Sequence, residues 1–373
     1  MEKRLKVVFF SCIPTPHWLK FVPHLRKYVD AEFYYYEPGN HGRPDWWLMD
    51  LGEHSHVMNV KPWKSKYFSF KPLRVLRKEN PDIVVLQGFT YPASFLAYCW
   101  ARFNHRKTIV FSERLRDYSR NQGGEKVGCV PRKLNFVWRI IRFLYRNVDL
   151  VGSTSKDAVS QFADEFRFGS KVVRFPYPSD IDDYYHHPVR QPKECYTLLF
   201  PNSLIWRYDP IMAVEIFKGV LSRHPKTRLM MCAYGPLIED VKKLIFKYKI
   251  EDKVEFLDYF KRWEDMGKLY SQCDIMYLPA RWSNGNYSIT ECRASGMACV
   301  ISDKVLGANG PSMIENESGS VVPREVGAFV DQICWYIEHP EEFARIAPIN
   351  RKVLMPVTHA EKAKRYYSIF QSL

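Results

Sequence analysis

LPARWSNGNYSITECRASGMACVISD, Leu278 to Asp303, is the stretch whose reading decides the fold. Ile275-Met276-Tyr277-Leu278 makes a short apolar strand that Pro279 ends, and Asn284-Gly285-Asn286 supplies residues tolerant of unusual backbone angles. A helix then starts at Tyr287 or Ser288 and closes at Gly296, with Ala298-Cys299-Val300-Ile301 as the next strand. This order puts a helix N-terminus and free backbone amides at the carboxyl edge of a parallel sheet, where phosphate groups bind. Glu291, about one turn into the helix, points back toward the loop. Its carboxylate can accept both hydroxyls of a ribose while the amides ahead of it hold a diphosphate. On an isolated helix the same glutamate would only favour the macrodipole. The glycine-bearing loop and the two flanking strands give it the nucleotide-binding reading.

The segment resembles the signature of retaining glycosyltransferases of the GT-B fold, family 4, whose pattern is approximately E-G-F-G-x-x-x-x-E-A-M-A-x-G-x-P-V. Aligned without gaps, Glu291 takes the second glutamate, Cys292-Arg293-Ala294 the residues after it, and Gly296 the turn glycine. The first glutamate, which in the family binds sugar hydroxyls, is Ser283 here, with Asn284 and Asn286 beside it. Asp252 to Pro279, DKVEFLDYFKRWEDMGKLYSQCDIMYLP, resembles the family's D-R-V-x-F-L-G through L-Y-x-x-A-D-x-x-x-L-P, which implies that Asp258 and Tyr259 approach the base. Upstream, LLFPNSLIWRYDPIMAVEIF, Leu198 to Phe217, resembles the strand, loop and helix bearing the G-R-x-x-x-x-K phosphate clamp. Asn202 stands for the glycine, Ser203 for the arginine and Tyr208 for the lysine. Arg207 is the only cation available next door, and a guanidinium suits a diphosphate bidentately. Asp209-Pro210 is a helix start in its own right.

The N-terminal half resembles the family more weakly. Leu5 to Phe10 is a first strand, followed by Ile13-Pro14-Thr15-Pro16-His17-Trp18 in place of the usual glycine pair. Asp82 to Gly88 reads as a buried parallel strand ending at Gln87, and Thr108 to Glu113 as another ending at Ser112 and Glu113, followed by Arg114. By resemblance Ser112 or Glu113 lies near the reacting sugar carbon, with Gln87, His17 and Arg114 on the acceptor side. A cap or ion-pair role fits Glu113 equally well on the residues alone. The implied fold is two Rossmann-like doubly wound domains facing a cleft: residues 1–185 for the acceptor, 193–356 for the nucleotide sugar, and 357–373 as a helix crossing back to the first. Asp331 to Glu338, Glu341 to Ile346 and His359 to Leu373 read as helices.

Charge is distributed unevenly: residues 1–150 carry 26 Lys and Arg against 13 Asp and Glu, the remainder 29 against 28. Within Arg132 to Val148, Arg139, Arg142 and Arg146 share one helical stripe beside apolar and aromatic residues. Such a stripe suits an anionic membrane surface, or equally the solvated edge of a core helix. Nucleic acid is not expected, since no zinc-finger or RNP-type pattern appears. No G-x-G-x-x-G or G-x-S-x-G is present, which argues against a dehydrogenase or a nucleophilic hydrolase. Nine cysteines without a paired framework, and no signal-peptide pattern, suggest a cytoplasmic protein, and the basic stripe adds the expectation of a peripheral place on the inner face of a membrane. The expected activity is metal-independent, cofactor-free transfer from a nucleotide-diphosphate sugar to a glycan or lipid-linked acceptor, in cell-surface polysaccharide or glycolipid synthesis. Two other classes remain open at this point: a nucleotide-sugar epimerase on the same scaffold, and a non-catalytic nucleotide-sugar or membrane-binding subunit.

Overall fold

The computed structural model describes residues 4–39, 49–60, 62–63, 66–89, 91–113, 115, 132–257, 262–281, 283, 287–305 and 319–373. They form two compact units: the residues up to Asp180 together with His359–Leu373, and Ile181–Thr358.

The first unit contains β1 (Lys6–Ser11), β2 (Asp30–Tyr35), β3 (Ser55–Val57), a short antiparallel pair β4 (Pro62–Trp63) and β5 (Lys66–Tyr67), then β6 (Ile83–Gln87), β7 (Lys107–Ser112), β8 (Leu150–Ser153) and β9 (Val172–Arg174). Its main sheet is parallel throughout, in the order β3-β2-β1-β6-β7-β8-β9. Val7, Val8, Phe9 and Phe10 are all buried, as strands covered on both faces require. The helices are α1 (Pro16–Arg26), α2 (Lys71–Glu79), α3 (Pro92–Phe103), α4 (Arg132–Arg146) and α5 (Lys156–Ser160). Ile83 to Ala101, an uncharged run, holds strand β6 and most of helix α3. Among the described residues no helix is long and apolar enough to cross a membrane.

The second unit holds β10 (Thr197–Phe200), β11 (Arg228–Cys232), β12 (Val254–Leu257), β13 (Ile275–Leu278), β14 (Ala298–Ser302) and β15 (Ser320–Val322), also all parallel. Their order is β12-β11-β10-β13-β14-β15. In this doubly wound arrangement the connection reverses direction between the first and fourth strands, and ligands bind at that switch point beyond the carboxyl ends. Here it falls between β10 and β13. The helices are α6 (Pro210–Arg223), α7 (Ile238–Tyr248), α8 (Asp265–Gln272), α9 (Tyr287–Ala294), α10 (Val326–Glu338) and α11 (Glu341–Leu354). Both α10 and α11 exceed the expected spans. The buried face Phe343, Ile346, Ala347, Asn350, Leu354 keeps helical spacing past Pro348, so packing carries the helix through that proline.

Helix α12 (His359–Gln371) belongs to the first unit. Tyr366 stacks on Phe175 at 3.9 Å between centroids, and its hydroxyl donates to the Pro176 carbonyl at 2.6 Å. Tyr366 and Phe370 sit in one core with Val7, Phe9, Phe33 and Phe111. Burying each of these aromatics contributes about 1.5–3 kcal/mol.

Candidate functional site

At the switch point of the second unit, the loop after β10 and the loop after β13 are joined through their backbones. The Arg281 N–H donates to the Arg207 carbonyl at 2.9 Å. Trp206–Tyr208 forms one turn of 3-10 helix, and the Arg207 guanidinium lies 4.5 Å from the Tyr208 ring centre and donates to its hydroxyl. Asp209 follows in the left-handed region, with φ of 53°, and caps α6 by accepting the Met212 N–H at 3.3 Å. Its other carboxylate oxygen pairs with Arg281 at 2.7 Å and also with Arg324. Arg324 reaches back to the Pro279 carbonyl at 3.2 Å, and Arg281 stacks over Trp206 at 4.6 Å. Arg207 was expected to be the only cation here. The fold brings in two more, because β13 and β15 end at the same edge as β10.

Helix α9 begins at Tyr287, so its first turn carries Tyr287 and Ser288 with their amides at the carboxyl edge. Ser288 is buried, and its hydroxyl donates to the Asn202 amide oxygen at 3.4 Å, tying α9 to the loop after β10. Glu291 is 3 % exposed, and one of its oxygens accepts the Tyr270 hydroxyl of α8 at 2.6 Å. Burial, and then the neighbouring carboxylate, push the Tyr270 hydroxyl well above the ordinary phenol range, so it remains a donor. Ser283 is buried too and bridges to Val305 through the backbone. Ser203 is half-buried, and its carbonyl accepts the Ile205 N–H at 2.8 Å. Ser203, Arg207, Tyr208, Ser283, Tyr287, Ser288 and Glu291 therefore all belong to segments at the carboxyl ends of adjacent strands β10 and β13. Asn284, Gly285, Asn286, Tyr259 and Arg114 lie outside the described residues.

At the corresponding edge of the first unit, Gln87 ends β6 beside the end of β1. Its side-chain oxygen accepts both the Ser11 hydroxyl at 2.6 Å and the Cys12 N–H at 3.1 Å. Ser112 ends β7 and donates to the Glu113 carbonyl at 2.8 Å, while Glu113 itself is exposed. His17, in the first turn of α1, is buried and accepts the Asp180 N–H at 3.2 Å; Lys20 pairs with the Asp180 carboxylate at 2.9 Å. Gln87, Ser112 and Glu113 share the strand ends, whereas the His17 imidazole is engaged in holding the Asp180 segment.

Residues 183–353 match the family model described as glycosyl transferases group 1, and residues 31–178 match the glycosyl transferase 4-like domain. The chain belongs to this glycosyltransferase family. The family acts on nucleotide sugars with retention, typically without a metal. A curated relative, the phosphatidylinositol N-acetylglucosaminyltransferase gpi3 subunit of Schizosaccharomyces pombe, is 23% identical over 194 residues, 51% of this chain. The match spans 40% of that relative's length. Among solved structures, a glycosyltransferase from Rickettsia africae superposes with a TM-score of 0.72 at 14% identity, covering 100% of this chain and 99% of that one. HepE of Anabaena, in complex with UDP, gives 0.73 at 13% identity over 99% and 100%. The same protein has also been solved with UDP-glucose. These neighbours share the GT-B fold with the glycosyltransferase described here.

Three residues tied into this arrangement carry no motif in the sequence: Tyr270, Arg281 and Arg324. Arg281 stood inside the opening stretch, yet its partner Asp209 lies on a distant segment, so nothing local marked it. Tyr270 and Arg324 likewise carry no local mark, since each meets its partner only across the sheet edge.

Proposed function

We propose that this glycosyltransferase moves a sugar from a uridine-diphosphate donor to a glycan or lipid-linked acceptor in cell-surface polysaccharide or glycolipid synthesis. The observation that carries the donor part is Glu291 and Arg207 on the two segments that flank the switch point of the second unit. Residues 193–356 would bind the donor and residues 1–185 the acceptor, with 357–373 completing the acceptor part. Glu291 accepts the ribose hydroxyls, held in orientation by Tyr270. Arg207 and the amides at Tyr287 and Ser288 stabilise the charge that grows on the leaving phosphate oxygen. Ser283, Asn284, Gly285 and Asn286 read the sugar, Ser203 and Tyr208 line the phosphate loop, and Tyr259 meets the base. On the acceptor side we assign Gln87, Ser112, Glu113, Arg114 and His17, the last through the segment it braces. The retained anomeric configuration needs no dedicated protein nucleophile if the leaving phosphate accepts the acceptor's proton on the same face.

Incubation with UDP-glucose and a panel of lipid-linked and free glycans tests the reading. Donor-dependent product that keeps the α-configuration is expected. Conversion of the donor alone into a new nucleotide sugar would instead identify an epimerase, and binding with neither transfer nor slow hydrolysis a non-catalytic subunit. Arg207→Ala should lower turnover more than donor affinity; equal turnover would remove Arg207 from the leaving-group role.

Support for a membrane-facing role comes from α4. Arg139, Arg142 and Arg146 are exposed on it, together with Ile140 and with Phe143, which is 66% exposed. Cations interleaved with uncovered apolar side chains suit an anionic leaflet. We therefore assign α4 to peripheral contact with the cytoplasmic face.

A further inference from the structure

We propose that Arg281 is a second cation contacting the donor diphosphate, supplying the charge that the family's clamp lysine would carry at the position of Tyr208, and that Asp209 is the positioning residue that aims it. The inference rests on the nucleotide-sugar reading above. Tyr208 brings no charge to the clamp; its hydroxyl is taken up by Arg207. Arg281 enters at the same place, because its own N–H is bonded to the Arg207 carbonyl. Two guanidiniums thus spring from hydrogen-bonded peptides at the carboxyl edge.

The Arg281 side chain is held on two sides, by the Trp206 ring at 4.6 Å and the Asp209 carboxylate at 2.7 Å. Stacking and a carboxylate partner fix a guanidinium plane, so less freedom is lost when it meets a phosphate. Asp209 is itself immobile: it is 5 % exposed, caps α6 and also pairs with Arg324. Arg324 already balances that carboxylate. Arg281 is therefore surplus to the ion pair, and Arg281, Arg324 and Asp209 together carry a charge of +1. The Nε of Arg281 is buried and finds no hydrogen-bond partner among the described residues. A buried guanidinium donor without an acceptor is costly, and an anionic oxygen is the group that satisfies it.

Calorimetry with UDP, UMP and uridine separates a phosphate contact from a structural one. Arg281→Gln should weaken UDP by about 10- to 100-fold while leaving uridine within about twofold. Arg281→Lys, which keeps the charge but loses the stacked plane and the Nε donor, should fall between Arg281→Gln and wild type, and Arg281→Gln with Tyr208→Lys should recover part of the loss. That rescue is not expected of an arginine that merely braces the loop. Trp206→Leu, at an exposed side chain, carries the same UDP-selective readout should Arg281→Gln not fold. Loss of UDP and uridine in equal proportion, or no loss of UDP, would overturn the assignment and leave the donor reading standing. A wild-type protein that binds no nucleoside diphosphate, GDP and ADP included, would overturn both.

Discussion

The Glu291 carboxylate has one oxygen engaged by a tyrosine hydroxyl that burial keeps protonated. A carboxylate fixed in this way meets a ribose without losing rotamer freedom at the moment of binding. Glu291→Ala should raise the dissociation constant for the nucleoside diphosphate roughly 100-fold, equivalent to about 2.7 kcal/mol. Tyr270→Phe leaves the carboxylate in place without this hydrogen bond, and a loss of about tenfold or less is expected. Calorimetry on the two variants checks the order; a larger loss for Tyr270→Phe than for Glu291→Ala would contradict it. Glu291 drew attention in the sequence through the glycine-bearing loop and flanking strands around its helix, whereas Tyr270 did not, because no local pattern marks a tyrosine on one helix as the partner of a glutamate on another.

Helices α8 and α9 end on a common cation. Arg190, buried in the chain leading into β10, donates to the carbonyls of Tyr270, Cys273 and Ser295, the Cys273 bond measuring 3.0 Å. A guanidinium at two helix C-termini satisfies carbonyls that have no intrahelical partner and opposes both dipoles. Arg190→Met would strand these groups, and a stability loss of at least about 3 kcal/mol is expected in urea unfolding. The turn after α9 is a separate device. Gly296 has φ of 84°, its N–H donates to the Arg293 carbonyl at 3.0 Å, and the Met297 N–H reaches the Cys292 carbonyl at 3.1 Å. A side chain there would meet Arg190 only at ordinary contact distance, 3.6 Å, so the constraint is the backbone angle rather than space. Gly296→Ala should cost about 1 kcal/mol and Gly296→Asn less, read from thermal or urea midpoints. Strand and helix order in this unit was readable because apolar runs and turn residues alternate cleanly. The Asp209, Arg281 and Arg324 cluster was not, since three distant segments assemble it only when the sheet closes.

Across the whole molecule, the basic excess in residues 1–150 is a property of composition, and α4 shows where part of it is exposed. Three exposed arginines at about 1 kcal/mol each amount to roughly 100-fold in affinity for an anionic surface. Sedimentation with phosphatidylglycerol vesicles should show binding that weakens from 50 mM to 500 mM salt, and that Arg139→Gln/Arg142→Gln/Arg146→Gln largely abolishes. Equal binding of the triple variant would place the contact elsewhere.

The return of α12 to the first unit bears on how the protein is made. Tyr366 and Phe370 occupy the same core as β1 and β7, yet the ribosome must synthesise all of the second unit before either can arrive. The first unit therefore emerges with an unfilled apolar face. The second unit, whose described residues all lie between Ile181 and Thr358, can fold while that face is still waiting.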